Sequence, residues 1–297
     1  MGSRALTATA LTLALLLGML TPALAQDGST TATAPATSDQ GRLTPLGEPG
    51  AFAQSAEPRT GADVIGGTTV GRYSHKFVAL IQLYDAQGTV LGECTGTLIR
   101  RRWVLTAAHC LAGASAANVA LRTTRIQDLK PRNIFAADAA AIAPRYKPAR
   151  FLNDIGVLRL AKPVSIKPIR LAGTRDDLRL AAGTKAKVLG WGVDDTGIPS
   201  DRLLQGRVDM WSNGDCRGLV GSLWRGGRML CGGSATTDVC YGDSGGPLLV
   251  RRGKGWMQHG VTSFGDTECA VGDASVYTRA SALRPWIERV TGIAHRR

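Results

Sequence analysis

The segment Cys240-Tyr241-Gly242-Asp243-Ser244-Gly245-Gly246-Pro247 sets one serine hydroxyl among glycines, beside a carboxylate, with a proline closing the turn. A serine hydroxyl is a weak nucleophile near neutral pH, so chemistry at Ser244 needs a base to take its proton and a third group to orient that base. Both residue types stand upstream. Thr106-Ala107-Ala108-His109-Cys110 carries a histidine after an apolar run, and Asn153-Asp154-Ile155-Gly156-Val157-Leu158 carries an aspartate before one. The order His, Asp, Ser, on three separate segments, points to covalent catalysis by the serine.

The elements that must position these residues read as short strands. Phe77 to Leu83, Thr97 to Thr106, Ile155 to Leu160, Ala186 to Gly190, Arg207 to Trp211, Pro247 to Arg251, Trp256 to Phe264 and Ser275 to Thr278 are rich in β-branched and aromatic residues and are separated by turn signals. Helical periodicity is confined to the end, from Ser281 to Val290, with Ser281 as cap, Pro285 in the first turn and Gly292 as stop. Many short strands with one terminal helix predict an all-β chain built as antiparallel barrels or a sandwich. Gly242 to Gly246 also fits the G-x-S-x-G pattern of α/β-hydrolases. That fold places the acid and the histidine after the serine and alternates helices with parallel strands, so chain order excludes it. Downstream, His259 and His295 lack an acidic motif; His75 and His259 read as structural or exposed, and His295 falls in a basic tail.

Residues 1–25 read as a secretory signal, with Arg4, an apolar stretch from Leu11 to Leu20 too short to span a bilayer comfortably, and Ala23-Leu24-Ala25 as cleavage pattern. Residues 26–63, dominated by Thr, Ala, Ser, Pro and Gly, read as a disordered pro-segment or linker. Residues 64–297 hold 33 basic and 18 acidic residues, formally +15, with no arginine block or aromatic run to concentrate the charge. That favours solubility and steering over a dedicated nucleic-acid or other polyanion site. All six cysteines, Cys94, Cys110, Cys216, Cys231, Cys240 and Cys269, lie in this region, an even number behind a signal peptide, and predict disulfides. Their spacing is not that of a zinc site, and Leu121 to Phe135 carries one carboxylate, Asp128, so no required metal is expected.

The Ala107-Ala108-His109-Cys110, Asp154-Ile155 and Gly242-Asp243-Ser244-Gly245-Gly246-Pro247 motifs, in this order, resemble the trypsin-like serine proteases of chymotrypsin fold, from Val64 to the C-terminus. The resemblance implies two antiparallel six-stranded β-barrels with a C-terminal α-helix. It also implies a secreted endopeptidase without cofactor, acting as a monomer on protein or peptide substrates, with protein inhibitors as further partners and no membrane attachment. His109 would be the base, Asp154 its orienting carboxylate and Ser244 the nucleophile, with the backbone N–H groups of Gly242 and Ser244 as oxyanion hole. Cysteines would pair Cys94 with Cys110, Cys216 with Cys231, and Cys240 with Cys269.

By the same resemblance Asp238 would floor the specificity pocket and select Arg or Lys. Ser263-Phe264-Gly265 would pair with the substrate backbone, and Gly265 would keep the pocket mouth open. Val239 and Ser275 depart from the family pattern, where a serine and a glycine are usual. The missing hydroxyl at 239 handicaps lysine more than arginine. Val64-Ile65-Gly66-Gly67 resembles the N-terminus that activation exposes, whose amine would pair with Asp243. Asp63 stands where zymogens carry Arg or Lys, so the activating cut would come from a different specificity. The competing class is a non-catalytic, cationic binding protein of the same fold.

Overall fold

A computed structural model describes residues 41–52, 66–72, 74–178, 180–193, 200–265 and 274–292. The signal segment, Asp63, Val64 and Cys269 lie outside them. Fifteen strands follow in chain order: β1 (Thr44–Pro45), β2 (Thr68–Thr69), β3 (Val78–Tyr84), β4 (Val90–Arg100), β5 (Trp103–Thr106), β6 (Ala116–Ala120), β7 (Ile134–Ile142), β8 (Gly156–Leu160), β9 (Arg170–Leu171), β10 (Lys185–Gly190), β11 (Leu204–Met210), β12 (Met229–Gly233), β13 (Pro247–Arg252), β14 (Gly255–Phe264) and β15 (Ala274–Arg279). Four α-helices join them: α1 (Ala108–Leu111), α2 (Thr174–Asp177), α3 (Asn213–Val220) and α4 (Ala280–Thr291).

Six strands in the order β7-β6-β3-β4-β5-β8 close on themselves through a β7–β8 pairing, and β10-β13-β14-β15-β12-β11 close through β10–β11. These are the two six-stranded antiparallel barrels expected. All seven side chains of β3 are buried, and the β3–β4 register pairs Ile81 with Cys94. One apolar cluster joins the first barrel, the barrel–barrel contact (Leu189, Trp191, Leu249, Val261) and α4 (Leu283, Trp286, Ile287). A separate cluster of Val188, Val208, Leu230, Val239, Leu248 and Tyr277 fills the second barrel.

Several expectations needed correction. Thr97 to Thr106 is not one strand: Arg101 and Arg102 turn between β4 and β5. The terminal helix begins at Ala280 with Arg279 at the cap position and no side-chain cap bond, while the Ser281 hydroxyl donates to Asp177 instead. Pro285 falls in the second turn of that helix, and Gly292 ends it in a left-handed conformation, φ 63°. α3 was not anticipated, although Ser212 caps it through the Asp215 N–H at 3.2 Å.

The largest difference concerns the segment read as a disordered linker. Residues 41–52 lie on the first barrel, where β1 pairs antiparallel with β7 and Leu43, Leu46 and Phe52 pack against the core. The fold also gathers charge that is scattered in the sequence. Exposed Lys76, Arg122, Arg132, Lys167, Arg170 and Arg252 line one groove beside Trp256. No helix among the described residues is long and apolar enough to cross a membrane.

Candidate active site

His109 rides on the single turn of α1, set against the barrel by the buried Ala107 and Ala108 that precede it. The Cys94–Cys110 disulfide, S–S 2.02 Å, fastens that turn to β4. Asp154 stands at the entry to β8, after Asn153, which takes a left-handed φ of 58° and is held by its own amide on the Pro144 carbonyl at 2.9 Å. Asparagine tolerates that conformation because its short polar side chain bonds locally. The Asp154 carboxylate, 0% exposed, then meets the histidine. His109 Nδ1 lies 2.7 Å from Oδ2, and the His109 backbone N–H donates to Oδ1 at 2.9 Å. The Ser263 hydroxyl completes the set, donating to Oδ2 at 2.6 Å. The carboxylate thereby fixes the orientation of the imidazole through Nδ1.

Ser244 is held by its backbone. Its carbonyl accepts from Thr95 N–H at 2.8 Å, one residue from the disulfide that fastens His109. Gly245 N–H donates to the Thr262 carbonyl at 2.9 Å, one residue from Ser263. The serine loop is therefore tied to the two segments that fix the histidine and its aspartate. Gly242 and Gly245 have φ of 92° and 83°, and a Cβ on Gly245 would lie 2.0 Å from Thr106 Oγ1, which donates to the Thr95 carbonyl. Glycine is required there by both conformation and space. Thr95 does more: its hydroxyl donates to the Gly242 carbonyl at 2.8 Å and accepts from Trp191 N–H at 3.1 Å.

Asp243 points away from Ser244 into the second barrel, 1% exposed, where Oδ1 accepts from Gly192 N–H and Oδ2 from Cys240 N–H, both at 2.9 Å. Burial, with the nearby charge of Asp238, pushes its carboxyl up to about 7 against those two donors. A Cβ on Gly190 would lie 1.8 Å from Asp243 Oδ1, so the carboxylate occupies space that two glycines, 190 and 192, leave empty.

Asp238 is 1% exposed, and its Oδ1 accepts from Val239 N–H at 2.7 Å and from the Ser275 hydroxyl at 2.6 Å. Ser275 also faces Gly265, whose hypothetical Cβ would sit 2.9 Å from Ser275 Oγ. Val239 packs into the core of the second barrel. Phe264 stacks on Phe151 at 4.7 Å, and Phe151 meets His109 edge-on at 6.3 Å, giving the site an aromatic wall.

Cys216–Cys231 forms, with Cα atoms 5.9 Å apart; Cys240 is also disulfide-bonded, and its expected partner Cys269 lies outside the described residues, as does Val64. Among the described residues, the His/Cys/Asp/Glu group close enough to hold a metal is Cys94, His109 and Cys110, and the disulfide removes both thiolates as ligands. Thr95, Gly190, Gly192 and Phe151 were missed from sequence. Thr95 adjoins Cys94, but nothing in its type marks it.

Residues 64–287 match the family model described as Trypsin. The chain is also similar to serine protease 56 of Mus musculus, 33% identical over 240 residues that cover 76% of this chain and 38% of that protein. It therefore spans well under half the length of that relative.

Proposed function

Because the chain belongs to the trypsin family of serine proteases, we propose that it is a secreted endopeptidase that cleaves after arginine by a His109-Asp154-Ser244 triad. The observation that carries the reading is the buried Asp154 bound at once to His109 Nδ1, His109 N–H and Ser263 Oγ. His109 Nε2 takes the Ser244 proton as Oγ attacks the scissile carbonyl. The N–H groups of Gly242 and Ser244 receive the oxyanion, and the imidazolium returns the proton to the leaving amine. Water repeats the sequence in reverse and frees the acid product. Each oxyanion donor is worth about 100- to 1,000-fold in turnover.

Asp238 supplies the negative floor of the specificity pocket. Val239 gives it no hydroxyl, and Ser275 places one on Oδ1. A compact ammonium has fewer partners in such a site than a planar guanidinium, so arginine is favoured. The precursor is activated by a cut before Val64, whose freed amine pairs with Asp243. That pairing offsets the burial which now holds the carboxyl up at about 7. Asp63 directs the cut to a peptidase of other specificity.

The test is hydrolysis of matched P1-Arg, P1-Lys, P1-Phe and P1-Ala peptides by chain beginning at Val64, with Ser244→Ala alongside. Expected are a roughly tenfold preference for Arg over Lys and a loss of about 10⁶ in the variant. Cleavage after Phe or Ala would discard Asp238 as selector. A correctly processed chain without activity and without labelling by an organophosphorus reagent would favour a cationic binding protein.

A further inference from the structure

The first barrel is built to accept residues 41–52. β8 covers one edge of β7 from Ala137 to Ile142, while β6 covers the other edge only at Ile134 to Ala136. The second edge would end in open backbone, and β1 fills it, with Thr44 opposite Ala140 and Pro45 opposite Ala139. Backbone bonds flank the pairing: Gly41 N–H to the Ile142 carbonyl at 2.8 Å, Leu46 N–H to Asp138 at 3.0 Å and Gly47 N–H to Ser115 at 2.9 Å. Three buried side chains of the domain reach out to the same segment. Trp286 Nε1 donates to the Gly41 carbonyl at 3.1 Å, Asn118 Nδ2 to Gly50 at 2.9 Å and the Tyr84 hydroxyl to Ala51 at 3.1 Å. With the segment in place these three residues are 4%, 5% and 1% exposed, so their bonds to it are shielded from water. Leu43, Leu46 and Phe52 add apolar contact to the core.

We infer that residues 41–52 stay bound, without a covalent link, after the chain is cut between Phe52 and Gly66, so that the processed protein is a two-chain assembly whose small chain supplies a strand. No cysteine precedes Cys94, so no disulfide can tether the fragment. The inference rests on the activation reading only in that some cut falls in this interval, not on its position before Val64.

The test inserts a site for a sequence-specific peptidase between Glu57 and Pro58 in the full Ser244→Ala chain, cuts it, and passes it through native gel filtration at micromolar concentration with intact-mass detection. The N-terminal fragment is expected to co-elute with the large chain at 1:1, to persist in 1 M salt and to separate in denaturant. Trp286→Phe, which removes the bond to Gly41 and keeps an aromatic ring, is expected to speed release roughly five- to tenfold. Separation of the N-terminal fragment from the chain that keeps Trp286 during native filtration would overturn the proposal, as would release from Trp286→Phe at the parent rate. The same cut in the Ser244 parent, followed by trimming to Val64, reads activity separately. An active enzyme that has shed the fragment sinks this inference alone, while an inactive enzyme that retains it sinks the activation reading alone.

Discussion

Three donors converge on the Asp154 carboxylate, and one comes from Ser263, in the other barrel. Ser263→Ala removes a bond that orients the aspartate without touching the histidine. It is expected to lower kcat about tenfold with KM nearly unchanged and about 1–3 kcal/mol of lost stability; a change in KM alone would place Ser263 in substrate binding only. Two other residues set opposite pH slopes. Asp243, raised by burial to about 7, favours the folded chain when protonated. Its contribution is complete below about pH 4 and lost as pH rises toward 7, at most about 1.4 kcal/mol per pH unit. His75, lowered to about 4 by burial and then by the charge of Lys187, favours the folded chain when neutral. Its contribution is complete above about pH 6.5 and lost as pH falls toward 4. In the uncut chain the two offset each other. Denaturant titrations at several pH values should show stability rising with pH across that window in Asp243→Asn and falling in His75→Asn; variants that track the parent would remove the assignment. Asparagine is chosen for position 75 because the backbone there has φ 50°.

At the scale of elements, β4 links the barrels through Thr95. Thr95→Val keeps the shape but loses a donor to the half-buried Gly242 carbonyl and an acceptor for the buried Trp191 N–H. We expect about 1–3 kcal/mol of lost stability and a lower kcat, with Thr95→Ser restoring most of both; full activity in Thr95→Val would show that the hydroxyl does not position the Gly242–Ser244 loop for the proposed reaction. How legible the elements were follows from side-chain type. β3, β13 and β14 read as strands from their β-branched and aromatic residues. β6 and β7, Ala-Ala-Asn-Val-Ala and Ile-Phe-Ala-Ala-Asp-Ala-Ala-Ala-Ile, did not, because alanine has little strand preference and gains it only from pairing inside a closed barrel. The motifs at His109, Asp154 and Ser244 were readable because each carries its own local signature. Thr95 was not, since its role exists only when β4 meets a loop 147 residues away. β1 was hidden for a related reason: a sparse segment cannot fold alone, yet an open edge of β7 gives its backbone partners.

The charge of the whole molecule shows the same gap between chain and fold. Six cations from distant segments share one groove that no run in the sequence betrayed. The distribution of the candidate site is equally long-range, and it sets an order of events during synthesis. His109, Asp154 and the Cys94–Cys110 bridge belong to the first barrel, whereas Gly242, Ser244 and Ser263 belong to segments made later. Domains emerge from the ribosome N-terminal part first, at about 5–20 residues per second. The first barrel can thus close around His109 and Asp154 before Ser244 is made. In refolding, the fluorescence of Trp103, in the first barrel, should recover before Ser244 becomes reactive toward an organophosphorus reagent; simultaneous recovery would contradict this order. Through Thr95, a later loop is drawn into place by a strand already standing, so reactivity at Ser244 would report that this loop has docked on the first barrel. A product truncated before residue 240 holds His109 and Asp154 and lacks Ser244.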